Sequence, residues 1–445
     1  MKKDTIQWPS LKELEVELFA TLQKTFGDVL TKTLEEIDHQ IAESRDKKRF
    51  DLQDKRSFEM DTTFGPIHIS RNYYKDREQR KYVCLLDQYL EFEGTKGVSP
   101  LVETMAMELA VQGTSYRHAS ATIEKLLGYK VLSHETIRQH LLQTEVCFQK
   151  QTGYTGKVLF VEVDGLFIKR QHSRTRGREE KIAAVHEGWM MNGKRASLIG
   201  KRHYVHKGKE SFWDGFEQFL MDNYNYNPND YLLVINGDGA LWITACRDQF
   251  KNAFFVIDRF HVARDIRAIF KGHKRYRYIR KKLATYDESG LLTELNSAVG
   301  TLEDENLEER LEELINRLSK YPEALGDYRR WLKEKGIDTG KYRPMGSAEG
   351  TMSVFAKRLK NGRSWSETGI HAFIDFMIGL KDQLEIKTIL GTLNHTVEFP
   401  SQPTPKYYVE KLKSTVGEAT RNNLWYLKQG KGKPIYEALS TIRGL

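Results

Sequence analysis

Cysteine is scarce in this sequence. Its 445 residues hold three, Cys84, Cys147 and Cys246. They are too far apart for CxxC pairs or a disulfide framework, which points to a reducing compartment. Long apolar runs are missing as well: no stretch of about eighteen such residues occurs, and Met1-Lys2-Lys3-Asp4 leads into an amphipathic stretch with no apolar leader core. The expectation is a soluble, cytoplasmic protein with no membrane partner. Neither GxGxxG nor GxxxxGKS/T appears, which disfavours a glycine-rich loop cradling phosphate. Acids are the minority charge, sixty-one against seventy Lys and Arg, for a net +9 and a pI near 9.1. That balance favours a polyanionic partner.

What is present reads in order. Residues 10–48 carry Leu11, Leu14, Val16, Leu18, Leu22, Phe26, Val29, Leu30 and Leu34 as an apolar stripe, predicting a long helix that buries it in this chain or against a second copy. The period then shortens around Phe58, Met60, Gly65-Pro66, Ile67 and Ile69, as in a β-hairpin. Residues 116–127 and 133–142 form two short helices joined through LGYKVL. Their spacing suits a helix-turn-helix whose second helix offers Ser133, His134, Thr136, Arg138 and Gln139 to a DNA groove, although paired short helices are common. Between residues 266 and 286 stand eight Lys or Arg and no acid, among them Lys274, Arg275, Arg277, Arg280 and Lys281, with His273, Tyr276 and Tyr278 interleaved. Such a run is either a solvated face or a phosphate-backbone contact, and the missing acids favour the second.

Three acids stand apart. Residues 158–163 are a near-continuous apolar strand run ending on Asp164-Gly165. An Asp-Gly there is either a hairpin turn or a carboxylate presented by a rigid strand as metal ligand or general acid/base. The arrangement repeats at residues 231–239, YLLVINGDG, and ALWITACRDQF follows with helical spacing, so Asp238 lies at the carboxyl end of a strand feeding a helix, where open α/β sheets place ligands. Late in the chain, Glu349 falls in the first turn of a helix over residues 351–360, with Ser347 as a possible cap and Lys357, Arg358, Lys360 and Arg363 following. It either offsets the helix dipole or returns a third carboxylate to the two strand ends. Glu162 shares a strand face with Asp164 and is read as a structural hydrogen-bonding group. The segment order, three strands, then helix, strand, helix, strand, predicts a mixed sheet with helices against it.

VEVDGLFIK, INGDGALW, DRFHVARD and GSAEGTMSVFAKRL resemble the ISLre-type insertion-sequence transposases of bacteria, relatives of the mutator-like and hAT groups, with the RNase H-like catalytic domain of DDE enzymes. The resemblance implies Asp164, Asp238 and Glu349 as a catalytic, metal-binding triad holding two Mg²⁺ or Mn²⁺ ions, which would stabilise the attacking and leaving oxygens of a phosphodiester. Asp258-x-x-His261 matches a signature those groups carry after the second acid and implies a role in orienting DNA or supporting the site. DNA contacts are expected from Arg138, Gln139, Lys274, Arg275, Arg277, Arg280, Lys281, Lys357 and Arg358. The implied partners are double-stranded DNA, as element terminal repeats and target, and further copies of the chain, because synapsing two ends takes a dimer or higher oligomer. The expected organisation is a helical region over residues 1–55, a hairpin and helix-turn-helix-like region over 56–150, and an RNase H-like α/β domain over 157–260 and 345–391. An all-helical insertion is expected over 261–344 and a basic tail over 392–445. Three other readings stay open: another RNase H-like nuclease, a glycosidase, which also needs paired carboxylates but not a basic surround, and a sequence-specific DNA-binding regulator without catalysis.

Overall fold

The structure, a computed structural model, describes residues 10–90, 97–147, 156–172 and 177–388. The expected basic tail at 392–445 lies outside them. Contacts divide the chain into two units, residues 1–145 with 387–445, and residues 146–386.

The first unit begins with α1 (Leu11–Ser44), started by a capping box in which Ser10 and Glu13 satisfy each other's backbone N–H groups. A three-stranded antiparallel sheet follows, β1 (Phe50–Thr62), β2 (Gly65–Asp76) and β3 (Lys81–Val83), then α2 (Leu85–Tyr89). Leu34, Ile37 and Ile41 of α1 bury against Ile67, Ile69 and Tyr74. The apolar stripe is therefore buried only in its second half, and Leu11, Val16, Leu18 and Leu22 stay exposed. The reason is length: the hairpin turn ends beside Gly27, where an added Cβ would sit 3.3 Å from the Phe64 carbonyl oxygen, and Phe26 stacks on Phe64. Preceding turns of α1 have no sheet strand beneath them among the described residues of this unit. Next come α3 (Pro100–Gln112), α4 (Tyr116–Leu127) and α5 (His134–Leu142), capped by the side chains of Ser99, Ser115 and Ser133. They share a core of Val102, Ala106, Ala119, Ile123 and Ile137. The short strand β4 (Thr144–Cys147) falls at the unit boundary.

The second unit runs β5 (Val158–Ile168), β6 (Arg178–His186), β7 (Gly188–Asn192), β8 (Arg195–Ile199), β9 (Arg202–Val205), α6 (Phe212–Tyr224), β10 (Leu232–Gly237), α7 (Leu241–Thr244), α8 (Cys246–Gln249) and β11 (Ala253–Ile257). The helices α9 (Arg259–Phe270), α10 (Tyr276–Ala284), α11 (Glu288–Asn296), α12 (Glu305–Ser319), α13 (Tyr328–Glu334), α14 (Ala348–Leu359) and α15 (Glu367–Asp382) complete it. Five strands make one mixed sheet in the order β11-β10-β5-β6-β9. Strands β11, β10 and β5 are parallel, β6 is antiparallel to β5, and β9 is antiparallel to β6. Strand alternation then divides the core. Leu159, Val161, Val163, Leu233, Ile235 and Ile257 join α6, α9 and α12 on one face, while Val158, Phe160, Val234 and Val256 meet Tyr328, Leu332 and Met345 on the other.

Two local expectations change. Strand β5 does not stop at Asp164-Gly165 but continues to Ile168, because β6 stays paired with it through Asp164–Ile182 and Gly165–Lys181. Neither a turn nor a strand end, Gly165 is a close approach: a Cβ there would fall on the Glu179 side chain. The helix expected after Asp238 is two short ones, α7 and α8, meeting at Ala245.

Phe160 is fully buried, with ring centroids 4.7 Å from Trp189, 4.9 Å from Tyr342 and 5.2 Å from His186. Phe160→Ala should lower unfolding free energy by about 3–5 kcal/mol, read by urea denaturation. A loss below about 1 kcal/mol would show that this face is not closely packed.

Candidate active site on the carboxyl ends of the parallel strands

Register builds the site. Strand β10 pairs Asn236 with Glu162 of β5 and Gly237 with Ile257 of β11. Carried forward, that register sets Asp238 level with Asp164 on one side and Asp258 on the other, each strand about 4.8 Å from the next. The backbone N–H of Asp258 donates to the Gly237 carbonyl at 2.7 Å, holding the third strand end in line. Alternation puts Phe160, Glu162 and Asp164 on the same side of β5, with Val234 and Asn236 on that side of β10.

Each aspartate also accepts a hydrogen bond from a backbone N–H just after it in the chain. Asp164 accepts from the Gly165 N–H at 2.8 Å, Asp238 from Ala240 at 2.9 Å, and Asp258 from Phe260 at 2.9 Å, where it caps α9. Asp258 is buried, and its second oxygen accepts from Nδ1 of His261 at 2.8 Å. That hydrogen bond holds the imidazole pKa above its ordinary value. Burial pushes the Asp164 carboxyl up to about 6, and the charges of Asp238 and Asp258 push the same way, against the Gly165 N–H and the His261 charge. Asp164, Asp238, Asp258 and His261 therefore form one electrostatic neighbourhood.

Glu349 arrives by another route. It sits exposed in the first turn of α14, the turn that Glu162 holds. Glu162 Oε1 accepts from the N–H groups of Gly346 at 3.0 Å and Ser347 at 2.9 Å, and Oε2 accepts from Ala348 at 3.2 Å and from Asn236 Nδ2 at 2.8 Å. Ser347, the expected cap, makes no capping hydrogen bond. A buried carboxylate 185 residues away does that work. Glu162 and Asn236 were legible as a pair only through their matching positions, each two residues before an aspartate. Among the described residues, no three His, Cys, Asp or Glu side chains are gathered closely enough to hold a metal ion. The structure thus brings Asp164 and Asp238 together and leaves Glu349 outside a closed ligand set. The aspartate pair suits a small hard cation, which ordinarily takes one or two carboxylates and keeps waters, and a positive ion there would offset the cost of charging Asp164.

The expected DNA contacts divide. On α10, Arg277, Arg280 and Lys281 are exposed at helical spacing, with Lys274 just before them. Arg275 is instead engaged with Glu294 at 3.1 Å. Lys357 is exposed, but Arg358 is buried with its guanidinium 4.4 Å from the Phe373 ring centroid, so its place is in the packing and not on a DNA-facing surface. On α5, Arg138 and Gln139 both donate to Glu135, at 2.8 and 2.9 Å, and those bonds pull the Glu135 carboxyl down to about 2.

Two outcomes follow from these charges. Because the Asp164 carboxyl binds its proton more tightly folded than unfolded, stability in EDTA should fall as pH rises from about 4 to about 6. Asp164→Asn should remove that fall and leave the protein on the order of 2 kcal/mol more stable at pH 7; urea unfolding at three pH values reads both, and an unchanged profile would contradict the placement of Asp164. If α5 is the DNA-facing helix that its spacing suggests, Glu135→Gln should loosen the hold on Arg138 and Gln139 and tighten DNA binding severalfold in a fluorescence-anisotropy titration, whereas weaker or unchanged binding would rule out that role.

Comparison with known proteins adds a family. A UPF0236 protein of Caldanaerobacter subterraneus subsp. tengcongensis is 24% identical over 447 residues, covering 98% of this chain and 93% of its own. Another from the same organism, whose name joins eleven designations, is 24% identical over 446 residues with 98% and 92% coverage. Among solved structures, the Drosophila P element transposase strand transfer complex matches at 13% identity over 75% of this chain and 87% of that one, with a TM-score of 0.25, too low to establish a common fold. The model of the uncharacterised protein family UPF0236 matches residues 4–389, more than half of the sequence, and the chain belongs to that family.

Proposed function

We propose that the chain is a DDE transposase of an insertion sequence, with an RNase H-like catalytic unit that cleaves DNA at element ends and transfers the 3′-hydroxyl to target DNA. The observation that carries the reading is the row of Asp164, Asp238 and Asp258 on adjacent parallel strands, beside the fastened helix that bears Glu349. The strand order supports it: three antiparallel strands lead into two that run parallel to the first, with the acids on the first and fourth. The likeness of VEVDGLFIK, INGDGALW and GSAEGTMSVFAKRL to ISLre-type transposases supports it too. A relative whose name joins eleven designations in one strain fits a gene present in many copies, as mobile elements are.

In this reading Asp164 and Asp238 would hold Mg²⁺ or Mn²⁺, with Glu349 supplying the third carboxylate to a two-ion site. Bound there, divalent ions supply charge stabilisation for the attacking and leaving oxygens of the phosphodiester. The chain's own residues do the rest. Asp258 fixes the ring of His261, which is biased toward its cationic form beside the acids and orients a DNA phosphate. The exposed stripe of Arg277, Arg280 and Lys281, with Lys274, takes the backbone of double-stranded DNA, and Lys357 adds a charge in the last turn of α14. Synapsis of two element ends calls for a homo-oligomer, acting in the cytoplasm on the bacterial nucleoid.

A second reading, a DNA-binding protein without catalysis, is favoured by one observation: Glu349 is exposed and joins no ligand cluster among the described residues. Mn²⁺-dependent nicking of supercoiled DNA separates the two. The transposase reading expects nicking by the wild type, none by Asp238→Ala or Glu349→Gln, and undiminished DNA affinity in both variants. A wild type that binds DNA but never cuts it would leave the second reading. Independently, the triple change of Arg277, Arg280 and Lys281 to Ala should reduce the slope of log affinity against log salt by up to about 3; an unchanged slope would take α10 out of the interface.

A further inference from the structure

We propose that Glu162 is a positioning residue for Glu349: it joins the strand bearing Asp164 to the first turn of α14 and thereby sets where the third acid stands. The inference rests on the transposase reading for its consequence in catalysis, but not for its geometry.

Four hydrogen bonds converge on this one side chain, three from consecutive backbone N–H groups at residues 346–348 and one from Asn236. Only 1% of Glu162 is exposed, so solvent cannot take over these bonds if they break. The turn is shaped for the carboxylate. Gly346 has φ +146°, a backbone conformation that side chains resist, and there it aims its N–H with the next two at one point. The negative charge also meets the positive end of the α14 dipole, where a partly buried carboxylate stabilises more than an exposed one. No local group substitutes, because Ser347 makes no capping bond. Glu349 follows Ala348 directly, so any drift of the turn moves Glu349 with it. Asn236 ties the same carboxylate to β10, two residues before Asp238. Glu162, on β5, is therefore bonded both to β10 and to the turn that starts the helix carrying the remaining acid.

The test uses the full chain and two independent readouts, amide hydrogen exchange over residues 344–352 and the kcat and KM of Mn²⁺-dependent nicking. Glu162→Gln keeps the shape but presents an NH₂ group to donors; Gly346→Ala disturbs the same turn from its exposed side, where an added Cβ meets no atom within 4 Å, and serves if the buried change prevents folding. Both variants should raise exchange at 346–349 at least about tenfold, a loss near 1.4 kcal/mol, while exchange in α15 is unchanged. Both should also lower kcat at least about tenfold at saturating Mn²⁺ with KM for DNA unaltered. Unchanged exchange would overturn the proposal, and so would raised exchange with wild-type kcat. If the wild type itself never nicks DNA, the transposase reading fails, and raised exchange in the variants then upholds Glu162 as the group that places Glu349.

Discussion

Parallel pairing in a single register is the constraint on which the site depends. Strand β10 is bonded on both sides, to β5 and to β11, and the pairing leaves no freedom to slide: a shift of one residue would turn Phe160 and Val234 out of one core layer and Leu159 and Leu233 out of the other. The aromatic cluster around Phe160 and the aliphatic layer beneath it thus hold the register, and the register in turn holds Asp164, Asp238 and Asp258 abreast. The carboxylates are placed by apolar packing, not by attraction for one another. Burial is the main thing that raises the Asp164 carboxyl, and the charges of Asp238 and Asp258 add to it, so neither holds the acids together.

The second constraint is the return of α14 to the sheet. After Ile257 the chain passes through the helices α9 to α13 before it comes back at Gly346. Glu162 marks the place of return. Its hydrogen bonds come from three backbone N–H groups and one amide, and the charge of Lys201 acts on it as well, so this contact is satisfied by the chain's own groups.

Much of this was legible in the residues. The apolar runs ending on Asp164 and Asp238 announce strands, and the change from alternating to helical spacing after Asp238 separates a strand-to-helix passage from a hairpin. The two short helices expected over residues 116–127 and 133–142 are α4 and α5. The rest depended on distance. Nothing near Glu162 in sequence says that residues 346–348 will meet it, and Ser347 is a better local candidate for the cap. Arg358 sits in a run of basic residues that reads as a DNA contact, yet helical geometry turns it toward Phe373 and Trp365. Arg138 and Gln139 look available until Glu135, three and four residues earlier on the same helix face, is seen to hold both. Half of the α1 stripe buries because the hairpin is shorter than the helix, a fact of tertiary extent that periodicity does not carry.

The central claim is that Asp164 and Asp238 form the floor of a divalent-cation site. Anomalous diffraction from crystals grown with Mn²⁺ tests it directly. The account expects a manganese peak within about 2.0–2.3 Å of an oxygen from each aspartate, with Glu349 drawn toward it. Manganese bound elsewhere, with none between these two aspartates, would contradict it.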